Sequence, residues 1–219
     1  MPVSSLRFFV AGPPRSGTST IHRALRHAGV FAVHGDDPVS TIPLAVLLQR
    51  AFLEGRDPAF YLARGIEAVA DCHLTRSPKW DSQTAWPTFL PGFWTRFREG
   101  HPDCFIILNS RPTEEWIASV SRWKDLRARI VKSDLPFLPP SRGAYDEELG
   151  GWIEDYYTRT RMELKGHPNL IEFDINDPGA KGIIEARSGL KLPWWGRVNA
   201  NPPPAPAPAP AKVLVPVRK

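Results

Sequence analysis

Residues 12–20, GPPRSGTST, put a permanent cation at Arg15 and hydroxyls at Ser16, Thr18, Ser19 and Thr20 between and just after Gly12 and Gly17. A glycine-rich loop that opens a helix aims backbone N–H groups at an anion, and phosphate is the usual one. The spacing can be compared with G-x-x-x-x-G-K-[ST], the nucleoside-triphosphate loop. Gly12, Gly17 and Ser19 fit that pattern, but Thr18 stands where it needs Lys. The cation has moved into the loop, to Arg15, so a principal means of stabilising charge on a transferred phosphoryl group is absent. The plainer reading is a glycine turn that only joins two elements. The density of donors favours a phosphate cradle.

A second set of groups begins at Arg111, followed by Pro112, Glu114, Glu115 and, eight residues on, Ser119. Eight residues are about two helical turns, so a helix starting at Pro112 would let Arg111 and Ser119 face one ligand if the loop curls back. Proton-transfer candidates are His73, His34, His22, Asp71, Asp36 and Asp37, of which His73 sits where a strand-like run ends. An unperturbed imidazole titrates in the right range for a general base. No Cys/His cluster has metal-ligand spacing, and no metal is expected. Cys72 and Cys104 fall in apolar runs and read as reduced core residues.

The elements that must position these groups follow from periodicity. Apolar runs at 6–11, 30–33, 67–72, 104–108 and 170–174 predict five strands. Helical patterns begin at Thr18 and cover 42–54, 59–64, 93–99, 146–164 and 178–188, with another from Pro112. Strands alternating with helices predict an α/β fold with a largely parallel five-stranded sheet flanked by helices. Residues 77–91, rich in Pro and Trp, predict an irregular loop beside a cleft, and 123–145 a further pocket-shaping segment.

Pro14-Arg15-Ser16-Gly17-Thr18-Ser19 resembles the 5′-phosphosulfate loop of sulfotransferases that use 3′-phosphoadenosine 5′-phosphosulfate (PAPS). The consensus there is Pro, Lys or Arg, a small residue, Gly, Thr, then Thr or Ser. The same family binds the 3′-phosphate with an Arg at a strand end and a Ser eight residues later, which Arg111 and Ser119 match. The resemblance implies a P-loop nucleotide-kinase-like sulfotransferase fold and transfer of a sulfuryl group from PAPS, without metal, to a hydroxyl or amine. It implies that Pro14, Arg15, Ser16, Gly17, Thr18, Ser19 and Thr20 hold the 5′-phosphosulfate and that Arg111 and Ser119 hold the 3′-phosphate, with Arg197 as a further candidate. It also implies that Arg15 and His73 are catalytic. The family's Lys-Thr-His-Leu context is reduced here to His73-Leu74, which leaves His34, His22 and Asp71 as competitors.

Composition narrows the partners. A charge of +5 without a long Lys/Arg block favours an anionic small ligand over nucleic acid. No stretch reaches membrane-spanning length and no leader pattern opens the chain, so a cytoplasmic protein is expected. Residues 1–201 are read as one domain and 202–219 as a Pro/Ala-rich tail. The acceptor is a small molecule, carbohydrate or lipid, since aromatic walls suit any of these. A P-loop kinase and a non-catalytic nucleotide-binding module are the alternatives.

Overall fold

The computed structural model describes residues 6–76, 79 and 83–198. The expected tail at 202–219 lies outside them, as do residues 77, 78 and 80–82 of the 77–91 loop and residues 199–201. Five strands, β1 (Phe8–Val10), β2 (Ala32–His34), β3 (Ala68–Ala70), β4 (Phe105–Ser110) and β5 (Leu170–Asp174), form one sheet in the order β2-β3-β1-β4-β5. Every pairing is parallel. The helices are α1 (Thr18–His27), α2 (Leu44–Leu53), α3 (Phe93–Gly100), α4 (Thr113–Arg122), α5 (Leu126–Lys132), α6 (Asp146–Leu164) and α7 (Ala180–Ser188).

A parallel sheet is covered on both faces, so its strands read as continuous apolar runs with side chains alternating between two cores. Phe8, Val10, Ile107 and Ile171 join Ile21 and Leu25 of α1 and Ile184 of α7 in one apolar layer. Phe9, Val69, Ile106 and Leu108 point the other way, into the layer built by α2, α3, α4 and α6. That second layer is the aromatic one: Phe9 meets Phe93, Trp94 and Phe97 edge-on at centroid distances of 6.2, 5.1 and 4.9 Å.

Strand order decides where a ligand can sit. The chain leaves β1 through α1 toward β2 and leaves β4 through α4 toward β5, so these neighbouring strands send their connections to opposite faces. The crevice between their C-terminal ends is a topological switch point, where open α/β sheets bind ligands. The 12–20 loop and the segment from Arg111 to Ser119 both begin there.

Two expectations need correction. The helix expected over 59–64 is a run of turns: Phe60 N–H bonds to Asp57 O and Leu62 N–H to Ala59 O, each three residues back, and Gly65, at φ +85°, ends the segment. Helix α5 arises inside the segment expected only to shape a pocket; Leu126 and Ile130, one turn apart, bury one face. Cys72 and Cys104 are both free and buried.

Candidate functional site

The loop from Gly12 to Gly17 is held from behind by β4 and α4. Three successive loop carbonyls are each claimed by a side chain from that segment. Trp116 Nε1 donates to Pro14 O at 2.7 Å, Arg111 Nη1 to Arg15 O at 3.1 Å, and Asn109 Nδ2 to Ser16 O at 2.8 Å. Asn109 Nδ2 also donates to Ser16 Oγ at 2.8 Å, while Ser16 Oγ donates to Pro13 O at 2.7 Å. With its carbonyls fixed in this way, the loop holds Arg15 at φ +71°, a left-handed conformation that a residue with a Cβ rarely adopts and that costs on the order of 1 kcal/mol. Close approach explains both glycines. A Cβ on Gly12 would lie 2.3 Å from Asn109 Oδ1, and one on Gly17, at φ +100°, would lie 2.4 Å from Ile175 Cγ1.

Helix α1 starts directly after Gly17 with no acidic residue in its first turn and with Arg26 and His27 in its last. Its positive end therefore faces the loop without a carboxylate of its own, and the first-turn N–H groups of a helix have no intrahelical acceptor. Helix α4 differs: Pro112 caps it and Glu114 and Glu115 occupy its first turn.

The two motifs meet at Arg15. Its Nε donates to Ser119 Oγ at 3.1 Å, across 104 residues of sequence, and its guanidinium lies 4.0 Å from the centre of the Trp123 ring. Burial, then the neighbouring Arg111 and Arg122, push the Arg15 pKa down from its ordinary value. Arginine stays charged under such a shift. The charges of Arg111 and Arg122 disfavour the Arg15 cation, Asp71 offsets them in part, and a phosphate would relieve the repulsion further.

In front of the loop lies a cavity of about 260 Å³. Pro14, Arg15, Thr18 and Ser19 form one side; His34, Asp36, Asp71, His73, Trp123 and Arg129 are among the rest. His34 Nε2 lies 3.2 Å from Ser19 Oγ and 3.4 Å from Thr18 Oγ1, and its Nδ1 is 3.8 Å from Asp71 Oδ2. Desolvation raises the Asp71 pKa above the ordinary carboxylate value. Asp71 sits at φ +56°, a second strained residue at this edge of the sheet.

His73 is 8% exposed and packs against Trp86 at 4.5 Å. Its Nε2 is 2.7 Å from Thr88 Oγ1, and its Nδ1 is buried with no hydrogen-bond partner among the described residues. Burial lowers its pKa from 6.5 to about 3, so the ring is neutral at ordinary pH. An orphaned buried nitrogen of this kind costs about 1–3 kcal/mol and invites a partner.

The remaining sequence candidates divide. Ser16 and Thr20 are buried and spend their hydroxyls on structure: Thr20 Oγ1 accepts from Val198 N–H at 3.3 Å. That bond brings the closing segment, and with it exposed Arg197, alongside α1. His22 Nε2 donates to Ala32 O at 3.2 Å, and burial followed by His34 drops its pKa to about 4. Asp37 accepts from Val39, Ser40 and Ala63 N–H and does not line the cavity; these bonds outweigh its burial and hold its pKa below the ordinary value. Sequence reasoning missed Asn109, Trp116, Thr88 and Tyr156. Trp116 left a trace as the aromatic residue that follows Glu114 and Glu115, Tyr156 as a member of the helical pattern over 146–164, and Asn109 as an amide directly after an apolar run.

Among the described residues no group of three or more His, Cys, Asp or Glu could hold a metal ion, and no helix is long and apolar enough to cross a membrane. The family model described as "Sulfotransferase domain" matches residues 7–167. No curated protein matches the chain. A solved structure with a similar course is the sulfotransferase from Alicyclobacillus acidocaldarius, at 13% identity, covering 92% of this chain and 88% of that one with a TM-score of 0.48.

Proposed function

The chain belongs to the sulfotransferase-domain family, and from that premise we propose that it moves a sulfuryl group from PAPS to a hydroxyl or amine of a small-molecule, carbohydrate or lipid acceptor by in-line displacement. The observation that carries this reading is the meeting of the 12–20 loop with Arg111 and Ser119 at Arg15. The donor needs two anionic subsites, one for each phosphate, and this arrangement supplies cations and donors to both. When bound, PAPS supplies the sulfuryl group and a phosphate leaving group.

The chain's own residues would then do the following work. Thr18, Ser19 and the first N–H groups of α1 hold the 5′-phosphosulfate, with Pro14, Ser16, Gly17 and Thr20 shaping the loop. Arg15 neutralises charge growing on the leaving oxygen, which is where preorganised cations contribute most. Arg111 and Ser119 fix the 3′-phosphate, and Arg197 lies on the segment tied to Thr20. His73 takes the acceptor's proton. His34 and Asp71 are the competing pair, favoured by their position opposite Ser19. We also propose that residues 1–201 act as one domain, that 202–219 are a tail outside it, and that the protein works in the cytoplasm without metal, nucleic acid or membrane.

Calorimetry with adenosine 3′,5′-bisphosphate beside ATP with magnesium, on wild type and Arg111→Ala, tests the reading. Tight bisphosphate binding that weakens at least about tenfold in the variant supports it; losing a charge-assisted contact of about 1.5–3 kcal/mol has that effect. Preference for ATP, or indifference to Arg111, would bring the kinase alternative forward. Binding without turnover would point to the non-catalytic module.

A further inference from the structure

Behind the cavity, three buried polar side chains form a line whose hydrogen positions can be deduced. Tyr156 is fully buried, Thr88 is 2% exposed, and His73 is 8% exposed. The line ends at the carbonyl of Ala11, the residue after β1. Tyr156 O–H donates to that carbonyl, which can only accept. Burial raises the Tyr156 pKa and keeps its proton in place. Its one hydrogen is therefore spent, and in its 3.1 Å contact with Thr88 Oγ1 it must accept. Thr88 also has one hydrogen, now given to Tyr156. In its 2.7 Å contact with His73 Nε2 the threonine oxygen must in turn accept, so Nε2 carries the imidazole proton. The 3.5 Å approach of Nε2 to Tyr156 OH agrees with a hydrogen on that nitrogen. The neutral ring then has its lone pair on Nδ1, the buried nitrogen without a partner, on a residue that lines the same cavity as Arg15 and Ser19.

We infer that Thr88 and Tyr156 are positioning residues that lock His73 in the Nε2–H tautomer and present Nδ1 as the atom that receives the acceptor's proton. This rests on the sulfotransferase reading with His73 as base. In the step, the acceptor oxygen forms a bond to sulfur as the bond from sulfur to the phosphate oxygen breaks. The acceptor's O–H proton passes to Nδ1, and the bond's electron pair stays on oxygen. The leaving bisphosphate keeps the electrons of the broken bond. The imidazolium formed is held through its Nε2–H by Thr88, whose own hydrogen is already anchored through Tyr156 to the backbone next to the phosphate loop. Loop geometry and base orientation are thereby joined at Ala11.

The test is carried out on the full chain with ¹⁵N-labelled histidine. Imidazole nitrogen shifts of His73 are read in wild type, Thr88→Val, Thr88→Ser and Tyr156→Phe, beside calorimetry with adenosine 3′,5′-bisphosphate and the rate of PAPS breakdown with water as acceptor. Wild type and Thr88→Ser are expected to show one tautomer, protonated at Nε2. Thr88→Val, of nearly unchanged shape, should show a mixture, with bisphosphate affinity within about twofold of wild type and PAPS breakdown slowed by about tenfold or more. Rescue by Ser separates positioning by the hydroxyl from packing by the methyl. A wild-type ring protonated at Nδ1 overturns the inference, as does a Thr88→Val variant with unchanged tautomer and rate. Should the tautomer be as expected while bisphosphate fails to bind, the sulfotransferase reading falls and the hydrogen-bond assignment stands.

Discussion

Gly12 and Asn109 illustrate how tightly single residues are committed. A methyl on Gly12 would displace the Asn109 amide, which donates twice to Ser16. Gly12→Ala is expected to cost about 1–3 kcal/mol, the penalty for unpairing buried polar groups, read as a lowered denaturant midpoint. A double-mutant cycle with Asn109→Ala should show strong non-additivity, since the second truncation removes the clash that the first creates. Buried His73 and half-buried His22 contribute to the acid limit. His73 and His22 have folded pKa values of about 3 and about 4, below the ordinary 6.5. Between those values the unfolded chain binds more protons, so stability is complete above pH 6.5 and falls as pH drops toward 4. Each group contributes up to about 1.4 kcal/mol per pH unit in that window. Asp37, held low, acts only below the carboxylate range. Urea unfolding at stepped pH should give this slope, and His73→Asn should flatten it.

At the scale of elements, the most informative stretch was also the most local one. The strand, loop and helix over 6–28 could be read because glycine spacing, a hydroxyl run and helical periodicity lie next to each other in sequence. Arg111 and Ser119 were legible for the same reason, as one strand end and one helix. Thr88 and the role of Tyr156 were not: Tyr156 falls in the periodic face of the 146–164 helix, but what matters about the pair is a contact 68 residues apart. The segment expected to be a helix at 59–64 closes instead into tight turns, Asp57 to Phe60 and Ala59 to Leu62, before Gly65. Trp116 shows what an element contributes beyond its own motif, since its indole N–H braces the loop from α4. Trp116→Phe keeps the buried ring but frees the Pro14 carbonyl. It should cost about 1 kcal/mol of stability and weaken bisphosphate binding measurably in the same titration as above.

For the molecule as a whole, the candidate site joins the ends of two central strands that are far apart in sequence. A ligand bound there holds β1–α1 against β4–α4 and so stabilises the whole fold. At one hundred times its Kd, bisphosphate should add about 2.7 kcal/mol to unfolding, seen as a raised melting temperature. Hydrogen exchange should slow in α4 as well as in the loop; protection confined to residues 12–20 would count against a site shared by both segments.

The sheet order β2-β3-β1-β4-β5 has a consequence for how the chain is made. Of these five strands the first in sequence is the central one, and it pairs with β3 and β4, the latter complete only at Ser110. At roughly 5–20 residues per second, Phe8, Phe9 and Val10 spend on the order of 5–20 s on the ribosome before both neighbours exist. During that interval the loop from Gly12 to Gly17 has no Asn109, Arg111 or Trp116 to hold its carbonyls. Of the five strands, β1 is thus the one that waits longest for its partners and is longest open to misassociation during synthesis.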